Sequence, residues 1–362
     1  MKHLVFSTNF LWPHHYSEVL DYGIQRVSKG DTVYASKCDG SISYCAPNPL
    51  NSKLVCKSCI RLQNKLSENF PELRWITLHD GPIIDLPTSM EQLQNTTAAI
   101  FNTAPYQCEH TTRQLKIDYN IINSFLSASI ANYEIDNLVL WNGRRVSEGD
   151  GKLHELAEHI KVTSVITASG SLAGFNTYLA FDAPKIHNMP VRKEHIQEFR
   201  KQAEEHSLEE ISQAYFAFAS GAKSIKSLGL STYQNKFKSI NGTEHYDYFI
   251  GNGTFVEFYG HDGWELDFGS DFNDLVQIIL DEILSQHAGA KIVVRWHPNL
   301  RNVSRPELQK IKKIVKKYHN VNFILPQSNV STHNLLKRSK VCFSVGSSIA
   351  IEASKLGVNE GY

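Results

Sequence analysis

No stretch of this 362-residue chain comes near the run of about 18 apolar residues that a membrane-crossing helix requires. Excess charge is missing too. Lys plus Arg and Asp plus Glu stand at 37 each, which removes any global attraction to nucleic acid or anionic lipid and leaves only local patches. Internal repeats and low-complexity tracts are absent, so neither a solenoid nor a compositionally disordered chain is expected. A secretory leader is lacking as well: the apolar part of MKHLVFSTNF is short and WPHHYSE comes at once after it. These absences point to a cytoplasmic protein whose first residues form a strand.

Apolar content of 41% and charged content of 20% are ordinary for a globular enzyme, and the length favours two domains over one core. Strand and helix patterns alternate along the chain. HLVFST (3–8), an amphipathic stretch 16–30 closed by Gly30, and DTVYAS (31–36) make a β–α–β opening, which predicts a parallel sheet. A weaker strand is expected at 72–78, helix from about 90 to 131, strand at 137–144, helix to about 161, and strand at 162–170. The Glu-, Gln- and Lys-rich stretch 191–229 reads as a helical insertion, and 231–245 as the crossing between domains. A second α/β unit comes next, with strands at 246–251, 291–296, 321–326 and 340–346 and helices at 271–287, 305–319, 331–339 and 347–357. The expectation is two Rossmann-like doubly wound domains, residues 1–235 and 236–362.

The strand 291–296 ends in a way its interior does not predict. VVRWHPN (293–299) places Arg295, His297 and Asn299 at the carboxyl end of a β-branched run, and Pro298 forbids further ladder pairing. Ligands of open α/β sheets sit beyond such strand ends. A later strand runs into Gly346-Ser347-Ser348 and then a helix, where first-turn N–H groups and serine hydroxyls suit a phosphate. Glu352, one turn on, has the reach for ribose hydroxyls. The plainer alternative is a serine helix cap with a surface carboxylate.

Cys38, Cys45, Cys56 and Cys59 lie close together in sequence. Disulfides are not expected in an intracellular chain. A closed structural zinc site, an iron–sulfur cluster and free thiols lining a loop all stay open, because the C-x6-C-x10-C-x2-C spacing matches no common zinc pattern.

Taken together, VVRWHPNL, PQSNVSTHNLLKRSKVCFSVGSSIAIEASKLG (326–357), NGR (142–144), PHHYSE and the cysteine-bearing stretch 38–59 resemble bacterial capsule and surface-polysaccharide biosynthesis proteins of the GT-B glycosyltransferase type. The resemblance implies two domains facing a cleft, with a nucleotide sugar (CMP- or UDP-linked) on the C-terminal domain and a glycan or glycolipid acceptor on the N-terminal one. It implies no nucleic-acid partner, no cofactor for transfer, and contact with membrane-bound assembly machinery at the inner face of the cell membrane. By that likeness Arg295, His297, Ser347 and Ser348 meet the donor phosphates, with Asn299 beside them, and Glu352 meets the ribose. His15 aligns with the family's histidine, with Glu18 three residues on, as candidates for the base chemistry. Asn142 and Arg144 fall on the acceptor side. The relatives' shared cysteines imply a common structural purpose. Two departures stand out: TASGS (167–171) replaces a His-Glu-Arg-Gly-like element, and the chain closes at LGVNEGY, where a further strand and a returning helix are expected.

Overall fold

The computed structural model describes residues 1–78 apart from six positions (9, 12, 44, 46, 49 and 50), together with 109–141, 159–167, 178–182, 197, 244–253, 272–297, 305–345 and most of 349–360. The chain forms two compact units.

The first unit is built on a six-stranded sheet in the order β3-β2-β1-β4-β5-β6. Its strands are β1 (Lys2–Phe6), β2 (Thr32–Lys37), β3 (Arg74–Thr77), β4 (Asn137–Trp141), β5 (Lys161–Thr167) and β6 (Tyr178–Phe181). All pairings are parallel except β5 with β6. The first five strands therefore take the Rossmann order, with the topological switch between β1 and β4.

Alternation along the strands assigns the two faces. Val5, Val33, Val139 and Val165 pack with Tyr16, Val19 and Leu20 of α1 (Pro13–Ser28) and with Leu62 and Leu66 of α2 (Lys53–Asn69). Leu4, Phe6, Leu138 and Leu140 pack with Leu115, Ile122, Phe125 and Leu126 of α3 (Glu109–Tyr133). Burial on both faces is what the unbroken apolar strands predicted.

The second sheet has five strands, ordered β11-β10-β7-β8-β9 and all parallel. They are β7 (Tyr246–Asn252), β8 (Ile292–Trp296), β9 (Val321–Ile324), β10 (Ser339–Val345) and β11 (Asn359–Glu360). Read from β9, this is the Rossmann order again, with β7 central and the switch between β7 and β10. Ile292, Val294 and Trp296 face α4 (Phe272–Gln286) and α5 (Arg305–Lys317). Phe249, Val293 and Cys342 face Leu335 and Leu336 of α6 (Thr332–Leu336) together with Ile349 and Ala353. The two-Rossmann α/β class is thus realised. No helix among the described residues is long and apolar enough to cross a membrane.

Three local expectations change. Residues 53–69 form α2, whereas the sequence there reads as a cysteine loop; the apolar stripe Val55, Cys59, Leu62, Leu66 keeps helical spacing only when cysteine is counted as apolar. Strand β6 is short and antiparallel and carries no pattern of its own. The helix expected to run to about 161 falls mostly outside the described residues, and β5 begins at Lys161, one residue before the expected strand. A further strand also exists at the end of the chain: β11 pairs with β10 through Val341–Asn359 and Cys342–Glu360. The expected domain boundary at 235/236 and the insertion at 191–229 lie outside the described residues, save Gln197.

Candidate functional site

Three adjacent strands of the second unit end level with one another. The register places Val345 of β10 beside Asn252 of β7, and Asn252 beside Trp296 of β8. The Gly253 N–H donates to Val345 O at 2.8 Å and the His297 N–H to Asn252 O at 2.9 Å. One residue beyond this row stand Gly253 and His297, while Gly346-Ser347-Ser348, next in sequence after Val345, lie outside the described residues. Parallel strands must all present their carboxyl ends on one side, and the switch point lies within this row. His297 is exposed there.

Ile349 is held close to the sheet. Gly251, one residue inside the row on β7, has no room for a side chain: an added Cβ would lie 2.8 Å from Ile349 Cγ2 and 3.0 Å from the Phe249 ring. Gly251 thus lets Ile349 pack onto the central strand. Gly251→Ala is expected to cost about 1–3 kcal/mol through overpacking. Thermal unfolding checks this, and an unchanged Tm would mean that Ile349 does not rest on Gly251.

Arg295 is only 2% exposed. Its Nη1 donates to Leu325 O at 2.7 Å and its Nη2 to Ser328 O at 3.3 Å. Burial brings its pKa down to about 10, so it stays charged at neutral pH. The guanidinium thereby grips the loop leaving β9, a partner that sequence alone did not suggest. Beneath it, Trp296 Nε1 donates to Asn273 Oδ1 at 3.0 Å, and Asn252 Nδ2 donates to the same oxygen at 3.2 Å. This buried amide pair, which sequence reasoning missed, ties β7 and β8 to the start of α4. Its signal is an Asn at the end of an otherwise apolar strand.

In the first unit Glu18 lies on α1, the helix after β1. It is 4% exposed and accepts a hydrogen bond from Trp141 Nε1 at 2.9 Å. Trp141 is the last residue of β4, so Glu18 spans the switch point and fixes the strand end from which Asn142 and Arg144 depart. His15 sits in the first turn of the same helix by its backbone. The side chain of His15 lies outside the described residues, as do Asn142, Arg144, Asn299, Ser347, Ser348 and Glu352.

The four clustered cysteines are brought together. Cys38 and Cys45 come from the loop after β2, Cys56 and Cys59 from the first turns of α2, and all four line one cavity along with Thr8, Leu11 and Gln63. None is in a disulfide. Burial raises the pKa of Cys38 and Cys45 to about 12 and that of Cys59 to about 11. Among the described residues no three His, Cys, Asp or Glu side chains meet closely enough to share one metal ion; the sulfurs surround a space.

These features define an α/β protein with two Rossmann-order sheets and a ligand-type row of strand ends in the second. No protein-family profile matches the chain, and no curated protein matches it. Solved structures do resemble it. The UDP-GlcNAc 2-epimerase of Methanocaldococcus jannaschii in complex with UDP-GlcNAc and UDP aligns over 99% of this chain and 83% of its own, at 11% identity and a TM-score of 0.38. The Neisseria meningitidis UDP-GlcNAc 2-epimerase bound to UDP-GlcNAc aligns over 99% and 81%, at 14% identity and 0.29. The E. coli heptosyltransferase WaaC with ADP-2-deoxy-2-fluoro heptose aligns over 99% and 87%, at 12% identity and 0.23. The fold assignment rests on strand order and register.

Proposed function

We propose that this chain is a glycosyltransferase of the GT-B type that moves a sugar from a nucleotide-activated donor, CMP- or UDP-linked, to a growing surface polysaccharide or glycolipid. The observation that carries the reading is the level row Val345–Asn252–Trp296, which brings the ends of β10, β7 and β8 and the exposed His297 to one edge of a Rossmann-order sheet. Glycosyl transfer builds negative charge on the departing phosphate. The helix start expected from the sequence at Gly346-Ser347-Ser348 and the His297 imidazole would answer that charge without a metal. Arg295 supports the site by gripping the β9 loop and adds positive potential from beneath, while Asn299 leaves with the same strand end. Glu352, one turn into the helix, takes the ribose hydroxyls. On the acceptor unit His15 receives the acceptor proton, Glu18 keeps the end of β4 in place through Trp141, and Asn142 and Arg144 meet the acceptor. The work is done in the cytoplasm, against the membrane-bound assembly machinery.

A second reading rests on the TASGS departure: a catalytically silent GT-B-like protein that binds a nucleotide sugar and assists assembly. The experiment is a thermal-shift panel of CMP-, UDP-, GDP- and dTDP-sugars, since a ligand that binds only the native state raises apparent stability. The sugar nucleotide that binds is then incubated alone. Slow release of free nucleotide is the transferase outcome. Binding without turnover is the silent outcome. Return of a sugar nucleotide with altered stereochemistry and its nucleotide still attached would mean an epimerase, the activity named for two of the structural neighbours. Glu352→Gln is expected to weaken donor binding about ten- to a hundredfold, the equivalent of roughly 1.5–3 kcal/mol, and to leave saturated turnover comparatively intact. If turnover collapsed while donor affinity held, Glu352 would belong to the chemistry.

A further inference from the structure

Helix α2 carries its charge where a helix least favours it. Lys53, Lys57, Arg61 and Lys65 recur every four residues, so they form one row along about 18 Å of the helix surface. All four are exposed, and among the described residues none of them forms an ion pair. The one carboxylate of α2, Glu68, stands near the other end of the helix.

That arrangement opposes two physical preferences. Like charges one turn apart repel each other and weaken a helix. Cations at a helix start meet the positive end of the macrodipole, where carboxylates are favoured. The first turn of α2 nevertheless holds Lys53 and no acid, and Ser52 before it makes no side-chain cap. Helix α5, also rich in lysine, shows the ordinary pattern at its end. Lys316 and Lys317 lie in its last turn, where the dipole welcomes them, and Lys317 pairs with Asp281 at 2.9 Å. No such compensation is present along α2.

Leu54 stands on the same face as the row, three residues before Lys57 and seven before Arg61. At 75% exposure it is the most open large apolar side chain among the described residues. The core does not call on it, because Cys59, Leu62 and Leu66 on the opposite face are what α2 packs against the sheet. An apolar tip beside four unneutralised cations suits a surface of negative headgroups laid over hydrocarbon. Nucleic acid offers phosphates but nothing apolar for Leu54, and α2 has no aromatic side chain on which a base could stack.

We propose that the α2 face made by Lys53, Leu54, Lys57, Arg61 and Lys65 docks the first unit on an anionic lipid surface. Leu54 enters the headgroup layer and the four cations lie over the negative headgroups. Because the helix stays packed on its sheet, the hold is peripheral and reversible. Helix α2 runs from the loop after β2 back to the start of β3, so Leu54 stands at the carboxyl end of this parallel sheet, the end at which Trp141 closes β4. Docking there brings a lipid-borne acceptor to the acceptor side of the unit. That last consequence alone rests on the proposed transferase activity.

The test is sedimentation of the full chain with vesicles of phosphatidylcholine alone and of phosphatidylcholine mixed with phosphatidylglycerol. It is run in about 0.1 M and about 1 M salt, between which the screening length falls from about 10 to about 3 Å. Binding to the mixed vesicles in the lower salt, with release in the higher and little binding to the neutral ones, is the expected result. The triple variant Lys57→Gln, Arg61→Gln, Lys65→Gln is expected to bind about a hundredfold more weakly, about fivefold for each cation. Leu54→Ser is expected to lose about tenfold. The matched triple on α5, Lys312→Gln, Lys313→Gln, Lys316→Gln, keeps wild-type binding. No sedimentation of the wild-type chain with mixed vesicles in the lower salt overturns the proposal, whether or not the variants fold. So does binding that survives the α2 triple, or that falls equally in the α5 triple. A short DNA duplex bound as tightly as the mixed vesicles would mean that the face meets nucleic acid instead. These measurements contain neither donor nor acceptor, so a chain that proves silent in transfer leaves them unaffected, and the two proposals fail separately.

Discussion

Replacing His297 by alanine is expected to lower saturated turnover roughly 100- to 1000-fold, the loss that accompanies removal of one donor to a developing negative charge. The side chain is exposed at the end of β8, and the backbone N–H bond from this residue to Asn252 O is kept by alanine. For an exposed position the stability change is expected to be small beside the loss of turnover, about 0.5 kcal/mol. Steady-state kinetics beside thermal unfolding separates the two effects. Unaltered turnover would remove His297 from the site, and a large fall in Tm would show that the imidazole holds the loop instead.

Arg295→Met is expected to do the opposite and act first on stability. The guanidinium is buried and charged and supplies two hydrogen bonds to carbonyls of the loop after β9. Methionine fills much of the volume but leaves Leu325 O and Ser328 O without those donors. Bonds to charged groups are worth about 1.5–3 kcal/mol each. A loss of about 3–4 kcal/mol is anticipated, a large part of a typical domain's margin. Denaturant unfolding measures it. A loss under about 1 kcal/mol would mean that the loop is held by other contacts. Donor affinity of the folded fraction then reports whether Arg295 also reaches the phosphates.

Strong periodic segments were legible from sequence, because burial on both faces leaves an apolar run that little else imitates. β1, β4, β7 and β8 fall within a residue or two of their expected positions at the amino end, and α4 matches nearly residue for residue. Strand order was legible in class, since β–α–β units impose parallel pairing. Three things were hidden. α2 was masked by a composition that draws attention to its cysteines. β6 pairs antiparallel at an edge, where four residues carry no alternation long enough to read. The partners of Arg295, Glu18 and Trp296 were invisible because each lies about 20 to 120 residues away in sequence, and a single chain without its register does not reveal which loop returns to which strand. The position of Arg295 and His297 at the end of β8 was legible in the sequence, and the structure gives Arg295 hydrogen bonds to Leu325 O and Ser328 O.

The central position of β7 also bears on how the second unit comes into being. One of its edges is covered by β8, forty-odd residues later, but the other waits for β10, with Asp247 and Lys340 tied by a 2.8 Å ion pair across 93 residues of sequence. On the ribosome, β7 and β8 can pair well before β10 has emerged, which leaves the hydrogen-bonding groups of Tyr248, Phe249 and Ile250 open to any other extended chain. Because long-range parallel pairing is slow to form, this half-built sheet is the point in biogenesis at which the protein is most exposed to aggregation. Gly251 and Asn252, placed on that same strand for the sake of the finished site, also interrupt its apolar run, so the residues that shape the ligand edge weaken the bare strand as a template while it waits.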